Sequence, residues 1–172
     1  IGHKIWYNTH MSKLYYSWED LNKDCRHLVR EMAHDTYHPD VIIGPGRGGY
    51  PVGVMISHYF EVPFEAFRWQ TRDGNIEDSG TLRHILSKYK GKKILLVDDI
   101  NDTGKTLQGI DDVITDYAST ESNAMLNYHS DIKYATLFDK ESSNFEKVDF
   151  TSNIVLPDQE RWIVFPYEEW WK

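Results

Sequence analysis

The chain has 172 residues, 40% hydrophobic and 27% charged, which is the composition of an ordinary globular protein and enough length for one domain with a sizeable core. A net charge of -8 argues against a broad nucleic-acid-binding face, so an anionic ligand would need local backbone N–H groups, a few basic side chains and a metal. Cys25 is the only cysteine, excluding an internal disulfide framework and a cysteine-rich zinc site; no apolar run nears the ~20 residues that span a bilayer, and no secretory signal pattern opens the sequence.

Met11 has the character of a true start, and Ile1 to His10 are expected to be expression-derived. A single domain is therefore expected over residues 11–172, in a reducing cytoplasm. Ser17 precedes Trp18, Leu21, Cys25, Leu28 and Met32, an apolar stripe at helical spacing. Ser17 is the expected N-cap, with Asp20 as its capping-box partner. Val41-Ile42-Ile43 reads as a short buried strand, running into Gly44-Pro45-Gly46-Arg47-Gly48-Gly49. Pro51 suits the first turn of a following helix, where its missing N–H has no partner to lose.

Val62 to Phe67 alternates as a second strand. Arg68 to Gly80 is polar, with a turn-forming Asp73-Gly74, and is read as either a flexible lid or a plain surface hairpin. Leu82 to Tyr89 is expected to be helical. Ile94-Leu95-Leu96-Val97 is the clearest buried strand, followed by a polar loop and a helix from about Thr106 to Tyr117. Tyr134 to Phe138 and Ile154 to Leu156 read as further strands. Strands alternating with helices predict an α/β fold, with a mainly parallel central sheet flanked by helices. In such sheets ligands bind beyond the carboxyl ends of the strands, where both unusual loops would lie.

The central loop carries the most chemistry. Its strand delivers Asp98 and Asp99 to one end, and two adjacent carboxylates suit a divalent cation or the hydroxyls of a ribose. Asp102-Thr103-Gly104-Lys105-Thr106 then opens a helix, whose N–H groups, hydroxyls and dipole make a monophosphate cradle. Gly104-Lys105-Thr106 echoes the end of a nucleotide-binding P-loop, but that motif needs a glycine where Asp99 stands. Gly44, Gly46 and Gly49 have the spacing of a dinucleotide fingerprint. Against it stand Pro45, Arg47 and the absence of an acidic residue at the expected offset.

Residues 94 to 106, I-L-L-V-D-D-I-N-D-T-G-K-T, resemble the signature with which type I phosphoribosyltransferases bind phosphoribosyl pyrophosphate (PRPP). The resemblance implies that Asp98, Asp99, Asp102, Thr103, Gly104, Lys105 and Thr106 bind PRPP, and that Mg2+ is held at Asp98 and Asp99. An aspartate before Thr-Gly, here Asp102, resembles the enzymes for 6-oxopurines, and implies the group that takes a proton from the base. Lys105 stands where the bacterial xanthine-guanine enzyme has glycine. The Arg-Gly-Gly core resembles the family's pyrophosphate loop, implying that Arg47 and Gly48 hold pyrophosphate. More loosely, Leu137-Phe138-Asp139-Lys140 and Asp158 to Ile163, with Pro166 following, resemble the xanthine-guanine enzyme. That implies base contacts from Lys140, Trp162 and the Ile163 carbonyl, and a small hood at Arg68 to Gly80.

The function so implied is transfer of phosphoribose from PRPP to a 6-oxopurine base (hypoxanthine, guanine or xanthine) with release of pyrophosphate, in purine salvage, by a homo-oligomer with no nucleic-acid or membrane partner. Three alternatives stay open: a PRPP-sensing regulator without catalysis, a PRPP-making pyrophosphokinase, and an enzyme for another base. The preferred purine and a metal role for Glu168 or Glu169 are also open.

Overall fold

The computed structural model describes residues 12–70, 76–120 and 131–172; the reading of Ile1 to His10 and of the Asp73-Gly74 turn lies outside them. In chain order the elements are β1 (Lys13–Tyr15), α1 (Trp18–His34), β2 (Val41–Pro45), α2 (Gly49–Phe60), β3 (Phe64–Phe67), β4 (Trp69–Gln70), β5 (Ile76–Glu77), α3 (Ser79–Lys88), β6 (Ile94–Asn101), α4 (Lys105–Thr120), β7 (Ile132–Lys140), β8 (Phe150–Val155) and β9 (Trp162–Val164).

Ser17 starts α1 as its sequence predicts. Its side chain accepts the Asp20 N–H while the Asp20 carboxylate accepts the Ser17 N–H, a reciprocal box that satisfies two donors otherwise left open at a helix start. The apolar stripe of α1 is buried at Leu21, Cys25, Leu28 and Met32. Trp18, by contrast, is 57% exposed, because the stripe turns out of the core at the first turn. Burial pushes the Cys25 thiol up to about 12, so it is an inert packing group rather than a nucleophile.

Five strands form one sheet in the order β3-β2-β6-β7-β8, every neighbouring pair parallel. The period-2 alternation of a strand divides the core between the two faces. Ile42, Leu95 and Val97 pack with Leu21, Leu28 and Met32 of α1 and with Val52 and Ile56 of α2. Val41, Ile43, Ile94 and Leu96 pack with Leu82 and Leu86 of α3 and with Leu107, Ile110 and Ile114 of α4. Sheet residues buried on both faces read in sequence as continuous apolar runs, which is why β2 and β6 are legible there. Among the described residues no helix is long and apolar enough to cross a membrane.

The chain leaves β2 to form β3 on one side and later β6 on the other. The sheet order therefore reverses between β2 and β6, the crevice where open parallel sheets bind ligands. Both glycine- and aspartate-bearing loops leave from the carboxyl ends of these two strands. The polar segment Arg68 to Gly80 contains a buried Trp69, an antiparallel β4–β5 pairing, and the start of α3, which Asp78 caps through the Thr81 N–H. In the tail, β9 pairs in parallel with β1 as a separate two-stranded sheet.

Candidate functional site

β6 runs four residues past the apolar stretch, so Asp98 and Asp99 lie within the strand rather than after it. Alternation sends them to opposite faces. Asp99 shares the side of Leu95 and Val97, toward α2. There it meets the loop that precedes α2: a Cβ at Gly48 would lie 2.4 Å from Asp99 Oδ2. The lack of a side chain at Gly48 lets this loop lie directly against the Asp99 carboxylate. The Tyr167 hydroxyl donates to the same oxygen at 2.8 Å and lies 3.5 Å from the Gly48 carbonyl. The Tyr167 ring is stacked on Phe165 at 5.5 Å between centroids, so the tail of the chain fixes Asp99 from a rigid platform.

Asp98 is only 7% exposed, and its Oδ1 accepts the Asp99 N–H. Burial, and then the charge of Asp99, push its carboxyl well above the usual carboxylate range. Burial likewise pushes Asp99 up to about 6; the Tyr167 hydrogen bond opposes this and the Glu168 charge adds to it. Both groups are held where water stabilises their charge poorly, so a cation or a pair of hydroxyl donors would be bound with little competition. Hard carboxylate oxygens at an open strand end fit Mg2+, which takes one or two carboxylates and keeps several waters or phosphate oxygens. Although they leave the strand on opposite sides, both carboxylates border the same two clefts, and among the described residues no group of three or more His, Cys, Asp or Glu forms a fuller metal cluster.

The cradle follows. Asp102, Thr103 and Gly104 form the turn, and Lys105 and Thr106 open α4. Gly104 has φ +84, and a Cβ there would lie 2.6 Å from the Phe145 backbone nitrogen and 2.9 Å from Ser143 Oγ. A Gly104→Ala substitution should therefore lower unfolding free energy by about 1–3 kcal/mol, the cost of a strained left-handed residue, as read by urea denaturation. An unchanged midpoint would contradict the tight packing described. Behind the turn, buried Asn101 donates to Asp139 Oδ1 and the Phe145 carbonyl, both at 2.8 Å, and accepts from Ser143 Oγ at 2.8 Å. The Asn144 N–H reaches the Thr103 carbonyl at 3.3 Å. This clamp holds the cradle from the β7–β8 connection, and no local signal in the sequence announces it.

Lys140 ends β7 with its side chain 9% exposed, its Nζ 2.6 Å from Asp102 Oδ1 and 3.5 Å from Glu160 Oε2. The two residues expected to handle the base are thus bonded to each other. A cleft of about 760 Å³ joins Arg47, Gly48, Asp98, Asp99, Thr106 and Trp162, a size common for small-molecule sites. A smaller cleft of about 190 Å³ runs along Asp98 to Leu107, sharing Gln70, Asp98, Asp99 and Thr106 with the larger one. Lys140 and Ile163 line neither cleft. Lys140 reaches the site through Asp102, and Ile163 is buried in the core and pairs with Leu14 across β1–β9. Lys105 is exposed at the cradle's rim. Tyr50, Trp69, Tyr167 and Trp171 line the larger cleft without having been singled out from the sequence.

Fold and site together define an α/β protein with its ligand cleft at the switch point of a parallel sheet, walled by a carboxylate pair and a helix-opening turn. The chain belongs to the phosphoribosyl transferase domain family, whose model matches residues 12–170. Among curated relatives it is 26% identical over 157 residues to the hypoxanthine-guanine phosphoribosyltransferase of Aquifex aeolicus, covering 86% of this chain and 82% of that one. It is also 23% identical over 97 residues to the transcriptional regulator GfcR of Methanococcoides burtonii, over 56% of this chain but only 48% of the regulator's length. Among solved structures, the purine phosphoribosyltransferase of Pyrococcus horikoshii superposes with a TM-score of 0.65 at 26% identity, covering 92% of this chain and 95% of that one.

Proposed function

We propose that this protein transfers the 5-phosphoribosyl group of PRPP to a 6-oxopurine base (hypoxanthine, guanine or xanthine), releasing pyrophosphate. One observation carries the reading: a carboxylate and an ammonium, Asp102 and Lys140, stand 2.6 Å apart beside the carboxylate pair and the cradle. A 6-oxopurine offers the complement on one edge, an imidazole N–H to donate and the 6-oxygen to accept. Adenine presents an amino group there, and an ammonium can only donate.

In this reading the 5′-phosphate sits on the N–H groups and hydroxyls of Thr103 to Thr106 at the start of α4. Asp98 and Asp99 hold the ribose hydroxyls and steady the positive charge that develops on the sugar. Arg47 and the Gly48 N–H hold the pyrophosphate, which departs with the electron pair of its bond to the anomeric carbon. The base nitrogen forms the new bond to that carbon, and Asp102 takes the proton that the base ring gives up. Bound Mg2+ would supply charge neutralisation for the leaving oxygens. Trp162, which lines the larger cleft, offers its ring as a face for the base. The match to GfcR supports a second reading, a PRPP-binding regulator that does no chemistry.

Steady-state kinetics with PRPP, Mg2+ and each of hypoxanthine, guanine, xanthine and adenine test the proposal. The parent should prefer 6-oxopurines. Lys140→Ala should narrow the gap between hypoxanthine and adenine. Trp162→Ala should weaken all purines about equally, by on the order of 1–3 kcal/mol of stacking. A parent that prefers adenine or a pyrimidine would overturn the base assignment. A parent that binds PRPP and turns over no base would favour the regulator.

A further inference from the structure

The contact that supports the 6-oxopurine reading also raises a difficulty for it. In the free protein Asp102 Oδ1 is engaged by Lys140 at 2.6 Å. To accept a proton from the base, Asp102 must loosen that bond, while Lys140 turns toward the 6-oxygen. The Lys140 side chain is only 9% exposed, and an ammonium held away from water needs a counter-charge throughout. Among the described residues its ion-pair partners are Asp102 and Glu160. Glu160 is placed for the task. Its Oε2 lies 3.5 Å from Nζ, and its Oε1 accepts from Ser142 Oγ at 2.5 Å. Ser142 stands just past the end of β7, two residues beyond Lys140, so the carboxylate is tied to the connection that carries the ammonium. Glu160 also follows the turn of Pro157–Gln159 and precedes Trp162 by two residues, so one short segment brings both the counter-ion and the ring that lines the cleft.

We propose that Glu160 is a positioning residue for base choice: it holds the Lys140 ammonium in place and aimed at the base while Asp102 is released to act on it. The inference rests on the 6-oxopurine reading above. Lys140 is shared between two carboxylates in the free protein and passes to Glu160 and the base when the base binds. Glu160 itself touches neither the base nor PRPP.

The test compares Glu160→Gln, Glu160→Asp and Glu160→Ala with the parent. The measurements are kcat and KM for hypoxanthine, guanine, xanthine and adenine, PRPP affinity by calorimetry, and melting temperature. E160Q keeps the size and the hydrogen bond from Ser142 but removes the charge. It should raise KM for 6-oxopurines about tenfold, the scale of one weakened charge-assisted contact, and narrow their preference over adenine. PRPP affinity and melting temperature should stay within error of the parent, and E160D should recover part of the preference. An active parent whose E160Q variant keeps its base KM values and preference would overturn the inference alone. So would a variant that loses PRPP affinity and thermal stability together with base affinity, since that marks a structural role. A parent that turns over no 6-oxopurine would overturn the proposed function, and this inference with it.

Discussion

Replacing Asp102 with asparagine should lower turnover roughly 10²- to 10⁴-fold at saturating PRPP and base, the range for loss of a positioned general base. Asparagine keeps the shape and one acceptor oxygen but cannot take a proton. The Asp102 side chain is 24% exposed, in the turn before α4, so its replacement should leave the fold intact. The Lys140 ammonium keeps Glu160 as a partner, which limits the cost of breaking the 2.6 Å pair. In the proposed mode PRPP is held by the Thr103 to Thr106 turn and by Asp98 and Asp99, so its affinity should change little. The check is kcat by pyrophosphate release alongside PRPP titration in a calorimeter. Turnover equal to the parent's would remove Asp102 from the chemistry.

Thr106→Val should weaken PRPP by roughly 10- to 100-fold, the scale of a charge-assisted hydrogen bond worth about 1.5–3 kcal/mol. Thr106 lies in the first turn of α4 and lines both clefts, which places its hydroxyl where a phosphate would meet the helix dipole. Valine is nearly the same size and still extends a well-packed helix, so the loss should fall on the phosphorylated ligand. Base affinity, measured in the presence of pyrophosphate, should stay near the parent's. Equal PRPP affinity in parent and variant would contradict the cradle.

What was legible in the sequence shares one property: its cause is local. Ser17 and Asp20 are three residues apart, and their capping box follows from that spacing. The run Ile94 to Val97 needs only its own apolarity to declare a buried strand, and the two carboxylates and the helix-opening turn follow it directly along the chain. The parallel sheet followed from strands separated by helices. What stayed hidden joins distant segments. Tyr167 and Asp99 are 68 positions apart, and nothing beside Tyr167 marks it as the donor that orients a site carboxylate. Asn101 reaches Ser143 over 42 positions; read alone it is one polar residue after a strand. β1 and β9 are three residues each, too short for alternation to show, and they exist only because they pair. Resemblance assigned Asp102 and Lys140 to one base but did not pair them with each other, because an ion pair between a turn and the end of a distant strand leaves no trace in either segment.

The most direct measurement is product identity. The protein is incubated with PRPP, Mg2+ and an equimolar mixture of hypoxanthine, guanine, xanthine and adenine, and the nucleotides formed are resolved by liquid chromatography and mass spectrometry. The expected result is a 6-oxopurine nucleoside monophosphate, formed with one pyrophosphate per nucleotide and absent without PRPP. Adenosine monophosphate as the main product, or no nucleotide from a protein that still binds PRPP, would contradict it.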